Sequence, residues 1–179
     1  MEEKLIELIP EFDLFEDEEL KTKTLLAYVT ALTEGGWKPE DIERMPFTLL
    51  ISPAPATMLE HIRGVVQLSI AIAAALRTAH PDKGKMHANH DILLAGALLH
   101  DVGKFLEYEE KGGKFVKSKS GELLRHPISG VGIARSAGLP DEVLHMIAYH
   151  SHEGDKARAT VEAIIVNHAD FLNFEPLKL

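Results

Sequence analysis

The chain has 179 residues, 45% of them apolar and 26% charged, with a net charge of −9 and no cysteine. That is enough for one domain with a real core, and it excludes disulfides and a thiolate zinc site. The acidic balance argues against long nucleic acid, which needs many Lys and Arg contacts, but not against a small phosphorylated substrate held by a metal.

The start, Met1-Glu2-Glu3-Lys4, lacks the basic end and apolar stretch of a signal peptide, so a cytoplasmic protein is expected. Residues 1–13 read as a short acidic helix ending near Pro10. Leu20, Leu25, Tyr28, Val29 and Leu32 fall at helical spacing over 16–34, and Gly35-Gly36 stops that helix. Pro39 opens another short helix, to Met45. No chemistry stands out in 1–50, which reads as a packing layer.

Pro53-Ala54-Pro55 breaks the chain, and a long helix is expected over about 56–79. Met58, His61, Val65, Leu68 and Ile72 share one apolar face, where a lone His is either a satisfied core residue or a ligand. The most apolar part, Gly64 to Leu76, is interrupted by Gln67 and Ser69 and reads as too short to span a bilayer. After a loop at Pro81 to Gly84, a helix from Asp91 carries Ile92-Leu93-Leu94-Ala95-Gly96-Ala97-Leu98-Leu99 into His100-Asp101-Val102-Gly103-Lys104. An imidazole, a carboxylate and an ammonium thus leave the end of a buried helix together. Such groups need partners. A divalent metal would partner His100 and Asp101, and a phosphate Lys104. An ordinary helix end, with Gly103 as the stop and Lys104 at the negative dipole, is the competing reading.

Two glycines in Lys111-Gly112-Gly113-Lys114, flanked by Phe105, Tyr108, Phe115 and Val116, predict a β-hairpin within 105–118. Lys104 to Arg125 has six basic and four acidic residues, a local +2. This is either a solvated loop or a positive patch facing an anionic substrate. His126-Pro127 opens a helix to about Ala137. Another runs from Pro140 to Tyr149-His150-Ser151-His152, and a last one spans about Thr160 to Phe171. In the last, Asp170 lies beside an apolar stripe, a costly place for an unpaired carboxylate. There are ten histidines, and His80, His87, His90, His145 and His168 read as structural or surface residues.

The ordered set His61, His100-Asp101, Asp170, on helices otherwise rich in apolar residues, resembles the HD-domain superfamily of metal-dependent phosphohydrolases, whose signature is H…HD…D. The resemblance covers roughly 56–175, and Leu98-Leu99-His100-Asp101-Val102-Gly103-Lys104 carries it. It implies an all-α helical bundle with one small hairpin: one domain over 1–179, with 1–50 as packing segment and 56–175 as metal-site core. It also implies that His61, His100, Asp101 and Asp170 bind a divalent metal; two imidazoles and two carboxylates suit Mn, Fe, Co, Ni or Zn. Some members hold a second metal. His126 and His150 stand in the matching places, with His152 displaced by one from the usual adjacent pair, and Asp101 would bridge the ions. Asp101 and Lys104 are the candidate catalytic residues. Lys104 and Arg125 are the candidate phosphate contacts.

The expected activity is hydrolysis of a phosphomonoester or phosphodiester of a nucleotide or similar small molecule, with no membrane and no long nucleic acid as partner. A non-catalytic nucleotide-sensing module, a short-RNA 3′–5′ exonuclease and a di-iron oxygenase are the alternatives. The hairpin, His-Pro helix and Tyr-His-x-His end are similar to HD domains of certain bacterial exoribonucleases. Those usually add an oligonucleotide-binding barrel, where residues 1–50 here read as helical.

Overall fold

The computed structural model describes residues 1–179. Helix α4 (His90–Leu99) lies at its centre, and every residue from Leu93 to Leu99 is buried. A helix apolar all round must be covered on all sides. Helices α2 (Glu18–Gly35), α3 (Met58–Ala79), α8 (Asp141–Tyr149) and α9 (Val161–Phe174) cover it. Each fully buried Leu contributes about 1.5–3 kcal/mol relative to exposure. On the α8 side the approach is close: a Cβ on Gly96 would overlap the Met146 side chain.

The sequence sets the helix boundaries through caps. Asp17 accepts from the amides of Glu19 and Leu20 at the start of α2, and Gly36, at φ +76°, closes it with an amide bonded to Leu32 and Thr33. Thr57 and Glu60 form a reciprocal capping box at the start of α3. Asn89 caps α4 through the Ile92 amide.

The first 45 residues are helical, as expected, but finer-grained: α1 (Glu2–Leu8), a 3-10 turn at Pro10–Leu14, α2, and a 3-10 turn at Pro39–Glu43. This layer grips the backbone that carries the central motif. The Tyr28 hydroxyl donates to the Leu98 carbonyl at 2.5 Å, and the Trp37 indole N–H donates to the Phe105 carbonyl at 2.8 Å. Both carbonyls are buried at the ends of short helices, where the intrahelical ladder has run out.

The hairpin is shorter than expected. Strands β1 (Tyr108–Lys111) and β2 (Lys114–Lys117) pair antiparallel, Tyr108 opposite Lys117 and Lys111 opposite Lys114. Gly112 and Gly113 both have positive φ, as a two-residue turn of this hand requires. Phe105 is not in a strand: Lys104–Glu107 forms a single helical turn, α5, and the Phe105 ring packs in the core against Tyr28. A short helix, α6 (Lys119–Leu123), follows unforeseen, capped by Ser118. Helix α7 is His126–Ser136, and α9 runs one turn further than its sequence pattern indicated.

Helix α3 extends beyond the 64–76 stretch at both ends: it is 22 residues long and, by length and composition only, long and apolar enough to cross a membrane, a test that the core helix of a soluble protein also passes. Its buried stripe of Met58, His61, Ile62, Val65, Val66 and Ser69 faces α4 and α9.

Candidate metal centre

Five polar side chains from four parts of the chain meet in the core. His61 comes from the first turn of α3, His100 and Asp101 from the end of α4, His126 from the first residue of α7, and His150 from the end of α8. All are buried, Asp101 at 2% exposure. Asp170, on α9, is the sixth and slightly more open.

Their arrangement follows from where helices stop. His100 and His150 each sit just past a helix C-terminus. Each folds its ring back so that Nδ1 meets the carbonyl three residues earlier: Ala97 at 2.7 Å and Ile147 at 2.9 Å. Last-turn carbonyls have no helical partner, so each imidazole satisfies one. A carbonyl only accepts, so Nδ1 carries the hydrogen and Nε2 presents its lone pair. His61 is held by Asn173 Oδ1 at 2.8 Å, and His126 by Glu107 Oε2 at 2.8 Å, again through Nδ1.

The four Nε2 atoms therefore point inward, toward one carboxylate. His61 and His100 lie 3.3 and 3.4 Å from Asp101 Oδ2. His126 and His150 lie 3.2 and 3.6 Å from Asp101 Oδ1. Within each pair the Nε2 atoms are 3.2 Å apart. Asp170 Oδ1 lies 3.2 Å from His61 Nε2. Lone pairs facing lone pairs in a buried space repel unless a cation separates them. His61, His100 and Asp101 form one group able to hold a metal; Asp101, His126 and His150 form a second. This nitrogen and oxygen donor set, with its outer ring nitrogens already engaged, fits one or two first-row divalent ions.

The charges agree. Burial disfavours the charged form of His61, but Asp101 and Asp170 more than offset that and hold its pKa up at about 9. Burial dominates for His126 and pushes it down to about 4, despite Glu107. Burial alone would raise Asp101; Lys104 and His100 instead hold it well below the usual carboxylate range. Asp170 is lowered by His61 against the same cost of burial.

Lys104 lines the cavity. Two of its three ammonium N–H groups are taken, by Asp101 Oδ2 and by the Phe47 carbonyl, both at 2.6 Å, which leaves one for a phosphate. Phe47 in turn stacks on His61, ring centres 4.6 Å apart. Arg125 does line the cavity, but it pairs with Glu153 at 3.1 Å. His152 lies outside both metal groups. Beyond His150 the chain turns into a 3-10 segment at His152–Gly154, which leaves that ring largely exposed at the cavity wall, 3.6 Å from Asp155.

A cavity of about 420 Å³ opens onto Asp101, His126, His150 and Asp170. Phe47, Tyr108, Phe171 and Phe174 give it an aromatic wall, and Lys117, Arg125 and Lys178 supply cations. Sequence reasoning missed Asn173, Glu107 and Phe47. Asn173 was findable: it lies one turn beyond Asp170 on the same face of α9. Phe47 sits in a loop and carries no local signal.

Residues 58–173 match the model of the HD domain, and the chain belongs to that family. Among its relatives, ribonuclease Y of Desulforudis audaxviator is 33% identical over 65% of this chain and 18% of its own length. Ribonuclease Y of Chloroflexus aurantiacus is 33% identical over 59% of this chain and 18% of its own. Dihydroneopterin 2′,3′-cyclic phosphate phosphodiesterase of Methanocaldococcus jannaschii is 29% identical over 63% of this chain and 44% of its own. The chain thus spans under half the length of each. No solved structure matches it.

Proposed function

We propose that this protein is a metal-dependent phosphohydrolase acting on a small phosphate ester, a nucleotide or a molecule of similar size and shape. The observation that carries this reading is the convergence of four imidazole Nε2 atoms, in two pairs, on the two oxygens of Asp101 at the floor of the cavity. Family membership supports it, as do relatives named as a cyclic-phosphate phosphodiesterase and as ribonucleases.

His61, His100, Asp101 and Asp170 would hold one divalent ion, and Asp101, His126 and His150 a second. Bound there, the metal acidifies water and neutralises phosphoryl charge. The protein's own groups do the rest. The Nδ1 hydrogen bonds fix each ring before substrate arrives, so no reorganisation is needed later. Lys104 keeps Asp101 ionised and anchors Phe47 over His61. Lys117, Arg125 and Lys178 draw an anion inward against a chain of net −9. The aromatic wall suits a planar base or pterin, and the cavity volume matches a small ligand.

A short RNA end is the second reading, favoured by the ribonuclease relatives. The test is a reconstitution series. Metal-stripped protein is loaded separately with Mn, Fe, Co, Ni and Zn. It is then given nucleoside mono- and triphosphates, 2′,3′- and 3′,5′-cyclic nucleotides and short RNA. Turnover of the small esters supports the proposal, and turnover confined to RNA selects the second reading. Nucleotide binding without turnover under any metal points to a sensor, and oxygen consumption with iron to an oxygenase.

A further inference from the structure

The four inward-pointing imidazoles are not held alike. His100 and His150 end helices and use the backbone carbonyls left over there; His61 uses the neutral amide of Asn173. His126 opens α7. At a helix N-terminus the unpaired backbone groups are N–H donors, so no carbonyl of its own helix is at hand for its Nδ1–H. An acceptor has to be brought from elsewhere, and the helix dipole favours a negative one.

Glu107 is that acceptor. It is buried, at 6% exposure. Its Oε2 takes both the backbone N–H and the Nδ1–H of His126, each at 2.8 Å, and its Oε1 lies 3.4 Å from the Lys117 ammonium. The neck of the hairpin fixes its place: the Ser118 amide donates to the Glu107 carbonyl at 2.8 Å. Gly121 packs against that carbonyl so closely that a Cβ would overlap it. Gly103 lets the start of α7 approach on the other side, where a Cβ would overlap the His126 carbonyl. A buried carboxylate is costly, and no other metal-facing imidazole in this chain has one behind it.

We propose that Glu107 is a positioning residue for His126: it fixes the Nδ1–H tautomer, aims the Nε2 lone pair at Asp101 Oδ1, and so builds the second metal position. The proposal rests on the metal-centre reading above. A carboxylate behind an imidazole also raises its basicity as a ligand, and loss of such a partner typically weakens metal binding about 10–100-fold. The effect is confined to the His126–His150 side, because Glu107 touches none of the other rings.

Two readouts test this. In metal-free protein, ¹⁵N NMR of the histidine rings reports the tautomer; His126 is expected as Nδ1–H in the wild type and in Glu107→Gln, and in exchange between tautomers in Glu107→Ala. Calorimetric titration with Mn²⁺ is expected to show the second equivalent weakened at least tenfold in Glu107→Ala and less in Glu107→Gln, the first equivalent being unchanged. Should Glu107→Ala fail to fold, Glu107→Gln, which keeps an acceptor oxygen but not the charge, carries the test with an expected several-fold loss at the second equivalent alone. An unchanged His126 tautomer in Glu107→Ala, or equal weakening of both equivalents in either variant, overturns the proposal. A wild type that takes up only one Mn²⁺ removes the second position itself and with it the two-metal reading; the tautomer measurement then still decides whether Glu107 orients His126.

Discussion

Lys104 and Asp101 are bound to each other at 2.6 Å, on the same carboxylate oxygen that His61 and His100 face. The ammonium therefore sits where it keeps Asp101 ionised and also repels an incoming cation. Lys104→Met is expected to bind Mn²⁺ more tightly than the wild type by calorimetry. It is also expected to lose about a hundredfold or more in kcat, the scale seen when one charge-stabilising donor is removed. Weaker metal binding in this variant would show instead that the ammonium supports the site only through Phe47.

Asp101 faces four imidazoles from two oxygens. Asp101→Ala removes the carboxylate common to both groups. Elemental analysis after purification is expected to find well under one metal per chain, with the helical signal retained. A full metal complement would disprove the site.

Asn173 supports His61 from the far end of α9, at 2.8 Å. Asn173→Ala leaves every ligand in place and frees only the ring. About a tenfold loss of affinity is expected at the first Mn²⁺ equivalent, the reverse of the Glu107 pattern. Equal affinity would mean that packing against Phe47 alone orients His61.

The metal-free protein should be most stable near neutral pH. His126 is held near pKa 4 by burial, below the free value of about 6.5. The unfolded chain thus binds the extra proton first, and stability falls as pH drops from about 6.5 to 4. Burial would raise Glu107, but the His126 donors bring it to about 2, so its contribution is present above its unfolded value and lost as acid protonates it. His61 works the other way. Raised to about 9 against burial by its two carboxylates, it stabilises fully below about 6.5, and that contribution is lost as pH rises through 9. Thermal melts of stripped protein from pH 4 to 10 should trace a dome, and a flat profile would contradict this placement of the three groups.

Much of this was legible beforehand. The apolar run into His100-Asp101 marked a helix that must be buried, and caps and prolines located the other helices to within a turn or two. His61, His100, Asp101, Asp170, His126 and His150 all arrive at one place. Lys104, placed by the end of the buried helix, does reach the cavity, but it shares its ammonium with Asp101 and Phe47. His152 rests on family pattern alone and lies beyond the point where α8 stops, outside both metal groups. Glu107 is, in sequence, one charge in a mixed segment. Nothing local says that a carboxylate in a one-turn helix will meet a ring nineteen residues later.

The two histidines that end α4 and α8 carry a last consequence. Each takes its direction from the carbonyl three residues behind it. One residue added to or removed from either helix turns its end by about 100° and swings the ring away from Asp101. Changes of chain length should therefore be silent in the Pro81–Gly84 turn and ruinous within α4 or α8, even where the inserted residue is alanine. In these two helices, register matters more than composition.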